Sequence, residues 1–158
     1  MIVAQANAPL PEEAEVCNFS FEIECEAAPP FEGCSIKSVV PVAAYRKSYP
    51  VDPERYISYI ARDDRALFVA RKETKFIGYA AVSKSWTNFA QIDDIAVDVS
   101  ARRSGAGRLL LNAAIDWAYD RALPGVRMET QSNNVAACRF YERNGFMLAD
   151  SIATFIGT

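Results

Sequence analysis

Two glycines set between an apolar strand and a helix are suited to holding an anion. In residues 92–111, IDDIAVDVSARRSGAGRLLL, apolar positions run through Ile95, Ala96 and Val97. The pattern Arg102-x-x-Gly105-x-Gly107 follows, and an amphipathic stretch begins at once. Glycines at 105 and 107 let backbone N–H groups approach a ligand with no Cβ in the way. The positive end of the helix dipole lies at the same point. Arg102, Arg103 and Arg108 add charge around Ser104 and Ala106, so the loop 102–108 is expected to grip a phosphate or pyrophosphate. It is not a Walker loop, because no Gly-Lys-Ser/Thr follows. The Gly-x-Gly-x-x-Gly spacing of a dinucleotide fold also fails.

The chain contains no histidine, which removes His triads, His bases and His metal sites together. Acid–base chemistry falls to carboxylates, Tyr, Lys, Cys or water. The nearest carboxylates are Asp93 and Asp94, inside the strand itself. Ile92 and Ile95 are three apart, whereas Ile95, Val97 and Val99 keep a period of two. Keeping Ile92 on the core side requires one extra residue at Asp93-Asp94, a β-bulge, which frees backbone groups to pair elsewhere. Four cysteines without CxxC spacing read as reduced thiols, and no metal is expected.

The elements that must position these groups follow from pattern. With 158 residues, 51% of them hydrophobic, the chain reads as one soluble domain, 1–158. Its net charge of −3, with no basic stripe, argues against nucleic acid. No apolar run approaches the ~20 residues of a membrane span, and no secretory signal opens the chain, so a cytoplasmic location is expected. Residues 1–16 read as a loose acidic lead-in. Alternation over 18–26 predicts a strand, Pro29, Pro30 and Gly33 a turn, and 34–40 a second strand. Residues 41–50 read as loop or broken helix. Asp52 and Pro53 look like a helix start with Tyr56, Ile57 and Ile60 on one face. Residues 66–71 and 76–85 make a hairpin that turns at 85–88 into the bulged strand. Residues 105–121 form a helix with Ala106, Leu110, Ala113, Ala114, Trp117 and Ala118 inward. A strand at 126–130, a helix at 134–144 capped by Ser132 or Asn133 and closed by Gly145, and a last strand from Phe146 complete the order. The result is an α/β fold, with a mixed, mostly antiparallel sheet flanked by helices.

Residues 97–111 resemble motif A of the GCN5-related N-acetyltransferases, where Arg/Gln-x-x-Gly-x-Gly/Ala binds the pyrophosphate of acetyl-CoA. Asn134-x-x-Ala137-x-x-x-Tyr141-x-x-x-Gly145-Phe146 is similar to that family's second signature. The resemblance covers roughly 36–156. It implies acetyl-CoA as cofactor, with Ile95, Ala96 and Val97 pairing the pantetheine arm and Asn134 and Ala137 beside it. It also implies Tyr141 as the proton donor to the departing thiolate. Asp93, Asp94 and Glu129 remain open as the base.

Residues 45–49, 85–88, 92–95 and 127–135 resemble streptothricin acetyltransferases more narrowly. That resemblance implies a small cationic amine as acceptor, with Tyr49, Trp86, Asp94 and Glu129 around it and Trp86 as an apolar or cation–π wall. A protein lysine or N-terminus as acceptor, or an acyl-CoA-binding module without turnover, are the alternatives. Only 14 residues follow Asn144, so the family's final strand is expected to be missing, leaving an open sheet edge and with it a homodimer.

Overall fold

The computed structural model describes residues 1–28, 35–148 and 154–157. The expected turn at Pro29, Pro30 and Gly33 lies outside those residues; of the strand placed at 34–40, residues 35–38 are irregular and the strand begins only at Val39. The chain runs β1 (Ile2–Gln5), α1 (Glu13–Val16), β2 (Phe21–Ala27), β3 (Val39–Lys47) and a 3₁₀ turn (Pro53–Tyr59). It continues through β4 (Arg65–Lys72), β5 (Lys75–Lys84), β6 (Ala90–Val97) and a short 3₁₀ turn (Val99–Ala101). The last elements are α2 (Ala106–Asp120), β7 (Val126–Glu129), α3 (Val135–Arg143), β8 (Met147–Leu148) and β9 (Thr154–Gly157).

Seven strands join in the order β1-β4-β5-β6-β7-β9-β8, while β2 and β3 form a separate ribbon. Every pair in the large sheet is antiparallel except β6–β7. This is the mixed, mostly antiparallel sheet expected. Both faces of its centre are covered, so β5 is buried without interruption from Phe76 to Val82. On the α2 face lie Phe68, Ile77, Val82, Ile92, Leu110, Met128 and Phe146. On the other lie Leu10, Ala14, Tyr56, Leu67, Phe76 and Tyr79. The inward stripe of α2 is as read, with Leu111 added and Ala113 only half-buried. Among the described residues no helix is long and apolar enough to cross a membrane.

Four expectations are corrected. Residues 1–16 are not loose: β1 pairs with β4 from Ile2↔Arg71 to Gln5↔Phe68. Leu10 and Ala14 fill the second core, and the Phe76 N–H donates to Glu13 Oε2 at 3.1 Å. A few apolar anchors outweigh the acidic, proline-containing composition. Residues 41–50 are largely β3 rather than loop: Pro41 pairs with Cys25 next to the break in the ribbon's register, and pairing resumes from Tyr45 to Lys47. The cap of α3 is Asn134, whose Oδ1 accepts from Ala137 N–H at 3.2 Å, not Ser132 or Asn133. Finally, the strand expected to be missing is present. β9 inserts antiparallel between β7 and β8, and four residues are enough to do so. The open edge that motivated a homodimer beside β7 is thereby filled.

Gly78 carries a steric constraint that matters for the site. A Cβ there would sit 2.5 Å from the Ala96 carbonyl oxygen and 3.2 Å from Val97 Cα. Both neighbours are backbone, so β6 itself would have to move. Gly78→Ala is therefore expected to lower stability by about 1–3 kcal/mol, read as a lower denaturant midpoint at unchanged slope.

Candidate active site

The bulge lies where the break in period placed it. Ala81 pairs with Asp94 but Val82 with Ile92, so Asp93 is the extra residue. On its other edge β6 pairs with β7 only at Ala90, Gln91 and Ile92, opposite Val126, Arg127 and Met128. From Asp93 onward the two strands part, and that edge of Ile95, Ala96 and Val97 faces no strand among the described residues. A cleft bounded by bare strand backbone can accept an extended, amide-bearing ligand as an added strand.

The glycine loop closes the far end of this cleft. Asp98, which is buried, accepts from the Asn18 and Ser100 N–H groups at 2.8 and 2.9 Å and from the Ser100 hydroxyl. Burial pushes its pKa up, but these hydrogen bonds outweigh that and hold it below the usual carboxylate value. Arg102 Nε reaches back to the Val97 carbonyl at 3.1 Å. Arg103 (φ 59°) and Gly105 (φ 92°) take left-handed backbone, which aims the chain into α2. Leu109 N–H makes the first helical bond to Gly105 O at 3.1 Å, so the N–H groups of Ala106, Gly107 and Arg108 have no acceptor within the helix. Arg103, Ser104 and Arg108 are exposed around them. Gly107 also sets the approach of α3: a Cβ there would meet the Phe140 ring at 3.3 Å.

The acids and the phenol occupy opposite sides of β6. Asp94 is half-buried among the side chains of the second core, where Tyr79 of β5 donates to its Oδ2 at 2.7 Å. Tyr56, from the 3₁₀ turn, donates to the same oxygen. Tyr59 of that turn donates to Asp93 Oδ2 at 2.7 Å. Burial, and then the adjoining carboxylates, push all three phenol pKa values well above the usual tyrosine range, so each remains a neutral donor. None of these tyrosines was singled out from the sequence as a site residue. The available signal was Tyr79, a polar-tipped aromatic within the apolar run FIGYAAV. Tyr141 lies on the α2 side, 4% exposed, with its ring against Phe140 and Phe146 at centroid distances of 5.2 and 5.9 Å. Burial, and then Cys138 and Asp94, raise its pKa and keep it protonated.

The other expected residues divide. Glu129 ends β7 one residue beyond the last pair with β6, across the split from Asp93, exposed and paired with Arg127 at 3.2 Å. Tyr49 is carried by the ribbon to the loop before α3, donating to Gln131 Oε1 at 3.1 Å. There Lys47 also donates to Gln131, Asn133 Nδ2 to Tyr45 at 3.0 Å, and the Ala27 N–H to Ser132 O at 2.9 Å. Trp86 departs from expectation. It is 96% exposed on the β5–β6 turn, at the closed end of the β6–β7 pair. Eight residues of strand at ~3.3 Å each lie along β6, and the turn is at the end away from the glycine loop, so Trp86 does not wall the split.

The chain is thus a layered α/β domain whose bulged strand parts from a parallel neighbour beside a glycine loop. Residues 37–146 match the family model described as acetyltransferase (GNAT) family, and the chain belongs to that family. Streptothricin acetyltransferase A of Bacillus subtilis (strain 168) is 36% identical over 104 residues, 66% of this chain and 60% of that protein. Streptothricin acetyltransferase of Escherichia coli is 35% identical over 107 residues, 68% of this chain and 58% of the other. The matched region thus spans about three fifths of each curated relative. Among solved structures, a Bacillus anthracis protein classed as a streptothricin acetyltransferase, in complex with acetyl coenzyme A, superposes with a TM-score of 0.80 at 28% identity. That match covers 98% of this chain and 94% of that one.

Proposed function

We propose that this protein is an acetyl-CoA-dependent N-acetyltransferase acting on a primary amine of a small cationic molecule of the streptothricin type. The observation that carries this reading is the split strand itself. The edge of Ile95–Val97 has no partner strand among the described residues and the loop 102–108 follows it directly in the chain, with a carboxylate on one face of β6 and a protonated phenol on the other. The names of the relatives support the acceptor class.

Acetyl-CoA, when bound, supplies an activated acyl carbon. The side chains of Arg102, Arg103 and Arg108, the loop residues Ser104 and Gly105, and the free amides of Ala106, Gly107 and Arg108 fit its diphosphate, and the edge of Ile95, Ala96 and Val97 fits the pantetheine amides. Asn134 and Ala137, the cap pair that starts α3, complete the cofactor contacts in this reading. An alkylamine with a pKa of about 10.4 is almost wholly protonated near neutrality, so it must lose a proton before it can attack. Of the three candidate bases, Asp94 has the strongest claim: it is half-buried, is oriented by two hydroxyls, and lies close enough to Tyr141 for its charge to raise that phenol's pKa. Asp93 is exposed, and Glu129 is held by Arg127. With acetyl-CoA bound, Asp94 would take the first proton from the acceptor nitrogen and Tyr141 would supply one to the sulfur that leaves as the amide bond forms. The second proton shed by the acylated nitrogen would balance the one that Tyr141 gave up. Tyr49 and Glu129 border the acceptor on the ribbon and β7 sides.

The experiment is a panel of amines with acetyl-CoA, read by release of free thiol. Streptothricin and related cationic amines are expected to turn over. Turnover confined to peptides or protein N-termini would replace the acceptor, and tight binding of CoA without acetylation of any amine would leave a binding module.

A further inference from the structure

Tyr56 and Tyr79 are 2% and 3% exposed, in positions that phenylalanine would fill equally well as far as packing goes. A buried hydroxyl needs a partner, because leaving one unpaired costs the desolvation of that group. Here both hydroxyls find the same one, Asp94 Oδ2, and they lie 3.4 Å from each other. The rings are fixed in turn. Phe19 stands edge-on to Tyr79 at 5.6 Å, Tyr79 contacts Tyr56 at 5.2 Å, and Tyr56 contacts Tyr59 at 5.8 Å. A continuous aromatic row thus runs from the segment before β2, across β5, to the 3₁₀ turn. Arg55 and Arg65 lie over the Tyr56 and Tyr59 rings at 5.5 and 5.6 Å, on the outer side of that row.

Asp94 is where such support is needed. It adjoins the extra residue of a bulge, where the ladder that would otherwise fix a side chain's direction is interrupted. Two donors on Oδ2 determine the carboxylate plane and leave Oδ1 without a hydrogen bond among the described residues. Tyr59 closes the outer end by holding Asp93, which keeps the turn docked on β6.

Resting on the reading of Asp94 as base, we infer that Tyr79 and Tyr56 are positioning residues that present Asp94 Oδ1 to the acceptor amine. They touch neither the acceptor nor the thioester; they act through the carboxylate. A proton acceptor displaced by about 1 Å can cost on the order of 100-fold in rate, so each hydroxyl should be visible kinetically even though its loss leaves the ring in place.

The test is a double-mutant cycle on streptothricin acetylation, using Tyr79→Phe, Asp94→Asn and the pair, with Tyr56→Phe as a second route should Tyr79→Phe fold poorly. Tyr79→Phe is expected to lower kcat by ~10–100-fold with the KM for acetyl-CoA unchanged, and to add little in the Asp94→Asn background. Wild-type kcat in both phenylalanine variants would overturn the inference while leaving Asp94 as base. So would the same fold-loss with and without Asp94, since a purely structural role is additive. Full activity of Asp94→Asn would instead overturn the assignment of the base, and the inference with it.

Discussion

Tyr141→Phe lowers turnover by roughly 10²–10⁴-fold and leaves the affinity for acetyl-CoA unchanged, a range typical of losing a general acid. The reason lies in where the hydroxyl sits. Tyr141 is buried on α3, on the α2 side of the sheet, and that burial, before any neighbouring group, keeps the proton on oxygen. On the proposed reading, this neutral phenol is the donor to the departing thiolate. The phenylalanine variant keeps the ring contacts to Phe140 and Phe146, so binding and fold should survive. Stopped-flow thiol release together with calorimetry of CoA binding separates the two quantities. A variant that keeps its rate would mean that another group protonates the sulfur.

Gly107→Glu abolishes CoA binding. Two effects add. A carboxylate brought to the start of α2 opposes the diphosphate that the free amides of Ala106, Gly107 and Arg108 would hold, and like charges set against each other cost several kcal/mol, more than ~100-fold in affinity. The side chain must also displace the Phe140 ring, 3.3 Å from where its Cβ would lie, and so disturb the seating of α3. Gly107→Ala separates these effects, since its methyl meets the same ring without bringing charge. Calorimetry on both variants, with thermal melts to show that each is folded, is the measurement. Unchanged affinity in Gly107→Glu would refute the assignment of the loop to the diphosphate.

Two parts of the site were legible because each breaks a pattern. The step from Ile92 to Ile95 interrupts a period of two, and an interrupted period in a buried strand has few causes other than a bulge. Arg102-x-x-Gly105-x-Gly107 stands between a strand and a helix, where glycines mark close approach. What stayed hidden conforms to its surroundings. Tyr79 in an apolar run reads as core, and only the fold shows that its hydroxyl ends on Asp94. The two proline-bearing segments were misread for the same reason in two places. Pro41 sits at an irregular point of a strand, and Leu10 among prolines and glutamates anchors a segment that looks unstructured. Trp86 was misplaced because a turn's sequence does not say which end of a cleft it adjoins.

The parting of β6 from β7 has a mechanical side. β5 and β6 are joined by seven register pairs, from Gly78↔Val97 to Lys84↔Ala90, whereas β6 and β7 share three. The backbone seam with the fewest bonds in the middle of the sheet therefore coincides with the site, and whatever occupies it also acts as mortar between the two halves of the domain. Cohesion then becomes a function of ligand supply: at a concentration 100 times its dissociation constant, a single bound ligand adds about 2.7 kcal/mol to the folded state. The resistance of this fold to heat and proteolysis would then rise and fall with the acyl-CoA pool around it.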